Sequence, residues 1–316
     1  RPVFRGRSQR MHLSFDWSAA LRRSRQPAAG EQETCRHAWK RFPYGDRVYR
    51  YGGCALASNW CRLHRGDREA FPDAGNLAEL LRANPALVVH VPDPAAAAMQ
   101  LEEAWRAFHA GDFSDAADRG LAAGPIGAVV AAKAAAVYAS HLEEDEACRS
   151  TILREAVDSC GALLEIAPNW ANAWYAHGMA LGRYSQHVPV VRALAQGMGG
   201  KVRDSLQRAI LLEPRHAEAH VGLGIYYAEV IDKVGAMVAG LTYGVRKEAV
   251  VEHFEAARKL HPQSPVVLAE YARAMQLAGG GFVPGEVYGL YAEAAACQPA
   301  DALERLDVEW ARGEMG

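Results

Sequence analysis

Two histidines four residues apart, His216 and His220 in PRHAEAH, have the spacing that sets two imidazoles on one helix face, where a metal ion can be held. The frame is not HExxH and no third ligand accompanies it, so helix packing is the expected role. His177 is likewise expected as a core histidine. The acidic string Glu143-Glu144-Asp145-Glu146 reads as a helix start, where carboxylates favour the positive end of the macrodipole. Glu229, Asp232 and Lys233 could move protons beside an apolar pocket, yet no nucleophile or oxyanion hole accompanies them, and an ion pair fixing the neighbouring segment is expected. GMGGK at 197–201 lacks the GxxxxGK[ST] spacing of a phosphate loop and follows no strand, so it reads as a turn between helices. None of these groups supports catalysis. The sequence therefore predicts no enzyme, no cofactor and no metal site.

Charge is divided unevenly along the 316 residues: the first 70 carry 15 Lys and Arg against 6 Asp and Glu, and the rest carry 20 against 31. The arginines of the head (Arg5, Arg7, Arg10, Arg22, Arg23, Arg25) could neutralise phosphates, but charge without periodicity reads as a solvated tail, and nucleic acid is not an expected partner. The six cysteines contain no CxxC pair and read as reduced thiols. No run approaches the roughly 18 apolar residues of a candidate membrane span, and Leu13 to Leu21 is interrupted by Asp16, which leaves no signal core. A cytoplasmic protein without a transmembrane segment is expected.

The elements that must position any site are helical. From Ala95 onward alanine, leucine and glutamate dominate, punctuated by short Gly, Pro or Asn signals. Leu101, Ala104, Trp105 and Phe108 fall at i, i+3, i+4 and i+7 on one face. Four segments end alike, at Pro168, Pro214, Pro262 and Pro299, with intervals of 46, 48 and 37 residues. Counting back from a proline, a small residue falls on Ala209, Ala257 and Ala294, and a large one on Leu206, Phe254 and Tyr291. Counting forward, Gly178, Gly224 and Ala272 follow Trp174, His220 and Leu268 by four. This order resembles the tetratricopeptide pattern W-x2-L-G-x2-Y, A-x3-F-x2-A and P, whose unit is about 34 residues. Departures are His177 for leucine, Leu181 for tyrosine and Leu163 for alanine. The resemblance covers about residues 146–313 and implies an all-α fold: a tetratricopeptide-like α-solenoid of stacked antiparallel helix pairs.

The extra length lies within the repeats, as two similar apolar inserts, VVRALAQGMGGK (190–201) and KVGAMVAGLTYG (233–244). With segments such as AWYAHGMALGRYSQ, these enlarged repeats resemble the tetratricopeptide-like domain of the regulator of microtubule dynamics family over about residues 146–275. That resemblance implies an interaction module, some members being linked with microtubules, organelle contacts or lipid carriage. Its common N-terminal membrane anchor is not expected here. The predicted organisation is a basic, largely irregular segment over 1–70 with one short helix near Ala55–His64, a linker or cap over 71–94, and the helical repeats over 95–316.

In a tetratricopeptide array the concave groove is lined from first-helix positions. Those positions give Asn172, Tyr175, Met179, Glu218, Ile225 and Arg273 as candidate contacts for a protein or peptide partner. Tyr175 and Met179 stand where chaperone-tail binders carry a carboxylate clamp, so the groove is apolar at its centre. The first expectation is a non-enzymatic scaffold. The alternative is a carrier in which the inserts close over the groove, leaving a cavity bordered by Tyr184, Tyr226, Tyr227 and Tyr243 for a lipid-like ligand.

Overall fold

A computed structural model of the chain describes residues 39–279 and 284–316. The arginine-rich head up to residue 38 and the glycines at 280 and 281 lie outside the described residues. Among the described residues all regular structure is helical and no strand occurs. No helix among them is long and apolar enough to cross a membrane.

The chain enters along residues 39–54 and forms α1 (Ala55–Leu63), α2 (Ala74–Ala83), a 3-10 turn (Pro85–His90), α3 (Pro94–Ala110) and α4 (Phe113–Ala122). There follow α5 (Ala128–His141), α6 (Glu146–Ile166), α7 (Ala171–Ser185), α8 (Val190–Ala195), α9 (Met198–Leu212) and α10 (Ala217–Val234). The chain ends with α11 (Ala236–Tyr243), α12 (Lys247–Leu260), α13 (Pro265–Ala278), α14 (Pro284–Ala295) and α15 (Ala302–Gly313). Short side chains with backbone-competing oxygens set many of the starts: Asp73, Asp93, Asp145, Ser264 and Asp301 each accept a hydrogen bond from the first turn that follows. Asp145 is the expected helix start within the acidic string. Gly111, at φ 89°, ends α3 in the left-handed region.

Pro168, Pro214, Pro262 and Pro299 each fall between the end of one helix and the start of the next, three residues ahead of Ala171, Ala217, Pro265 and Ala302. The helices pack in an order that repeats: α5 with α6 and α7, α7 with α9 and α10, α10 with α12 and α13, α13 with α14 and α15. The small residues of the sequence pattern are where helices approach most closely. A Cβ on Gly178 would stand 3.0 Å from Leu206 Cγ, and one on Gly224 would stand 2.5 Å from Phe254 Cε2. Ala209, Ala257, Ala272 and Ala294 are fully buried.

Both inserts contain the expected short helix, α8 and α11. The glycine-rich text at 197–201 differs from the expected turn: only Gly197, at φ 61°, makes the bend, and Met198 to Lys201 already belong to α9. Residues 39–70 pack onto the array, with Tyr49, Leu56 and Trp60 in its core and Trp39 stacked on Tyr138 at 4.3 Å. Over 71–94, Leu77, Leu81, Leu87 and Val91 join the same core. The row of helices curves until α15 returns to α3, where a Cβ on Gly111 would meet Phe42 and Ala302.

Candidate ligand-binding cavity

Residues 62–69 run across the openings between repeats. Arg62 donates to the Gln298 carbonyl (3.3 Å) and Arg65 to that of Leu260 (3.1 Å). The Gly66 carbonyl accepts the Glu218 amide at 3.1 Å, and a Cβ on Gly66 would stand 2.9 Å from Glu218 Oε1. Asn172 donates to Glu69 at 2.6 Å. Nearby, the Tyr51 hydroxyl donates to the Ala300 carbonyl at 2.5 Å. The chain at Asn172, Glu218, Leu260 and Gln298 is thereby tied to one strip.

A buried polar chain locks this strip. His109 Nδ1 lies 2.6 Å from Asp301 Oδ2, the two Nε2 atoms of His109 and His64 are 3.1 Å apart, and His64 Nδ1 lies 2.9 Å from Asp67 Oδ1. Asp67 then accepts from Lys133 Nζ at 2.6 Å, and Lys133 also donates to Glu218 at 3.1 Å. Lys133 and Asp67 are almost completely buried. Against the cost of burial, the His64 imidazole and the Lys133 ammonium hold the Asp67 carboxyl well below the usual carboxylate range. Burial opposes charge on Lys133, but Asp67 and Glu218 outweigh it and raise the ammonium. Breaking such a pair leaves an uncompensated buried charge, which is why the lock is structural.

Beyond the lock lies a cavity of about 470 Å³, walled by α5, α7, α9, α10, α13 and α15. This volume lies within the range of small-molecule sites. Its wall is mostly apolar, with Val137, Met179, Val221, Ile225 and Val266 among the lining side chains. Lys133 stands at the end facing the lock. Ala193 and Gly197 of the first insert, together with Tyr243 of the second, lie over the other side.

The charged groups on this wall are largely neutralised within it. Glu270 accepts from Arg183 and Arg273, both at 2.9 Å, and these two guanidiniums hold its carboxyl below the usual range despite burial. Glu229 accepts from Arg273 (3.0 Å) and Gln186 (2.7 Å). Among the described residues Asp307 on α15 has no such partner: His141 Nε2 on α5 stands 3.9 Å away. Burial, aided by Asp301, Glu304, Glu270 and Glu218, lifts the Asp307 carboxyl well above the usual range. Burial and then Arg183 lower His141 to about 4, so it is neutral at neutral pH.

Of the residues singled out in the sequence, Tyr175, Met179, Glu218 and Ile225 share this cavity, and Tyr226 and Tyr243 join them. Asn172 and Arg273 are not on its wall. Asn172 is buried between Glu69 and His216 (2.8 Å), and Arg273 is spent on Glu270 and Glu229. Tyr184 packs beside Ala136 and Leu153, and Tyr227 faces His253. His216 uses both ring nitrogens on the protein: Nδ1 accepts the Ala219 amide at 3.1 Å, capping α10, and Nε2 meets Asn172. His220 pairs with His253 at 2.9 Å and His177 with Ser205 at 2.9 Å. Cys54, Cys61, Cys160 and Cys297 are free thiols, but Cys148 is disulfide-bonded. Cys148 thus departs from the expectation of reduced thiols.

Sequence reasoning missed Lys133, His141, Arg183, Glu270 and Asp307. The one available signal was a lone lysine inside AVVAAKAAAVYASH, a charge with no polar face to occupy. Compared with models of known protein families and with curated proteins, the chain matches none. Function must therefore be argued from the cavity itself.

Proposed function

We propose that the chain is a non-enzymatic carrier that holds one elongated apolar molecule inside a tetratricopeptide-like array of helix pairs. The observation that carries this reading is the 470 Å³ cavity, lined by Tyr175, Met179 and Ile225 and overlain by both inserts. The repeating packing order and the placement of the four prolines support the solenoid reading. Burying an acyl chain releases about 0.8 kcal/mol per methylene, so an apolar wall suffices to hold one. Residues 62–69 take up the positions on the groove where a peptide would otherwise meet Asn172 and the Glu218 amide, which favours a small occupant over an extended polypeptide.

Solvent extraction of the purified protein followed by mass spectrometry tests the proposal. About one apolar molecule per chain is expected, together with uptake of a fluorescent apolar probe by stripped protein. The variant Ile225→Trp, which fills the cavity, is expected to abolish both while preserving helical circular dichroism. An empty protein that takes up no probe overturns the reading. A second reading, a protein-binding scaffold, is favoured by one observation: Val191, Met237 and Leu241 stand at least three-quarters exposed on the two insert helices. Loss of probe uptake in I225W with an unchanged protein interaction would support that second role.

A further inference from the structure

Four carboxylates line the cavity: Glu218, Glu229, Glu270 and Asp307. Three of them have cations of their own: Glu218 pairs with Lys133 at 3.1 Å, Glu229 with Arg273 at 3.0 Å, and Glu270 with Arg183 and Arg273 at 2.9 Å. The fourth differs. Asp307 is 3% exposed, and His141 Nε2 stands beyond hydrogen-bond distance, at 3.9 Å.

Asp301, Glu304, Glu270 and Glu218 act on Asp307, whereas Arg183, the cation that acts on its neighbour His141, is already engaged by Glu270 at 2.9 Å. Asp301 is engaged by His109 at 2.6 Å and Glu304 by the Ala300 amide at 2.6 Å, and among the described residues no hydrogen bond joins either to Asp307. Buried polar groups in folded proteins are paired, and an unpaired one costs free energy. An unpaired carboxyl on the wall of an apolar cavity is the polar anchor that ligand sites of this kind place among apolar contacts. An anionic head would bring a further charge of the same sign to the carboxylates that act on Asp307. A cationic head would supply the missing partner.

We infer that the cavity is selective for long-chain amines, with the ammonium head paired to Asp307 and the hydrocarbon tail along Val137, Met179, Val221 and Ile225. The inference rests on the carrier reading above and narrows its ligand class. No covalent step is involved.

The test is displacement of a fluorescent apolar probe from the full chain by three ligands of equal tail length: dodecylamine, dodecanol and dodecanoate. Wild-type protein is expected to bind the amine at least about tenfold more tightly than the alcohol, a difference of about 1.4 kcal/mol, and the acid most weakly. Asp307→Asn is expected to bring the amine level with the alcohol, the ratio of the two affinities being the readout. Asp307→Leu should do the same, so that a folding defect in one variant does not decide the outcome. Equal binding of amine and alcohol by the wild type, tighter binding of the acid, or an amine preference that survives both variants overturns the inference while leaving the carrier reading in place. Failure of all three ligands to displace the probe, or of the probe to bind at all, overturns the carrier reading and the inference with it.

Discussion

Two neighbouring regions between the helices are treated in different ways. Across the amino ends of α7 and α10, residues 62–69 fill the first, fixed by backbone hydrogen bonds and by the chain Asp301–His109–His64–Asp67–Lys133–Glu218. Further along the same helices the second stays open, with an apolar wall and the inserts above it. Both regions are bordered by α7 and α10, so these helices alone do not decide what lies between them. What differs is the filler. A polar segment of the chain's own occupies one region, whereas among the described residues none enters the other, where the cavity lies.

The sharpest way to break this contrast is to unlock the filled half. Lys133→Met strands Asp67 and Glu218 without their cation, and a loss of about 3–5 kcal/mol in stability by urea denaturation is expected. If the loss is below about 1 kcal/mol, the filled half is not held by its lock.

The filled half should also respond to acid through His216. Its Nδ1 must be unprotonated to accept the Ala219 amide, and burial, with a contribution from Lys133, lowers the imidazole to about 3. Between about 6.5 and 3 the unfolded chain binds this proton and the folded chain does not, so stability falls as pH falls, by up to about 1.4 kcal/mol per pH unit. Above 6.5 His216 contributes no slope. His216→Asn keeps a side-chain oxygen to cap α10. Its acid limb, measured by urea midpoints from pH 7 to 4, should be shallower than that of the wild type, and parallel limbs would refute the assignment.

Two glycines sharpen the comparison at smaller scale. In the packed layer, Gly224→Ala drives a Cβ into the Phe254 ring, and an overpacking loss of about 1–3 kcal/mol is expected. On the cavity wall, a Cβ at Gly182 meets only Val202 Cγ1, at 3.8 Å. Gly182→Ala should therefore raise stability by about 0.5–1 kcal/mol through helix preference. Thermal denaturation of the two variants side by side distinguishes them by sign.

Much of this molecule was legible in its sequence. The prolines at 168, 214, 262 and 299 mark helix boundaries because a missing amide and a fixed φ act locally. Gly178 and Gly224 mark close approaches because a small residue at a fixed helical offset leaves a gap that only the facing Leu206 or Phe254 fills. Tyr175, Met179 and Ile225, assigned to the groove through the tetratricopeptide resemblance, line the cavity. Tyr184 and Tyr227 were not separable from Tyr226 and Tyr243 in this way, since the turn of the helix beside each insert decides which ring meets the cavity.

Local chemistry in the sequence thus determined the helices, their ends and their inward faces, since propensity, capping and amphipathic spacing operate within a few residues. The tertiary structure alone decided what lies inside. Asp67 reaches Lys133 across 66 residues, His109 reaches Asp301 across 192, and Asp307 is left facing His141 from the far end of the chain. The pairing of a buried charge depends on which distant group arrives beside it, and that is set by the packing of the whole chain.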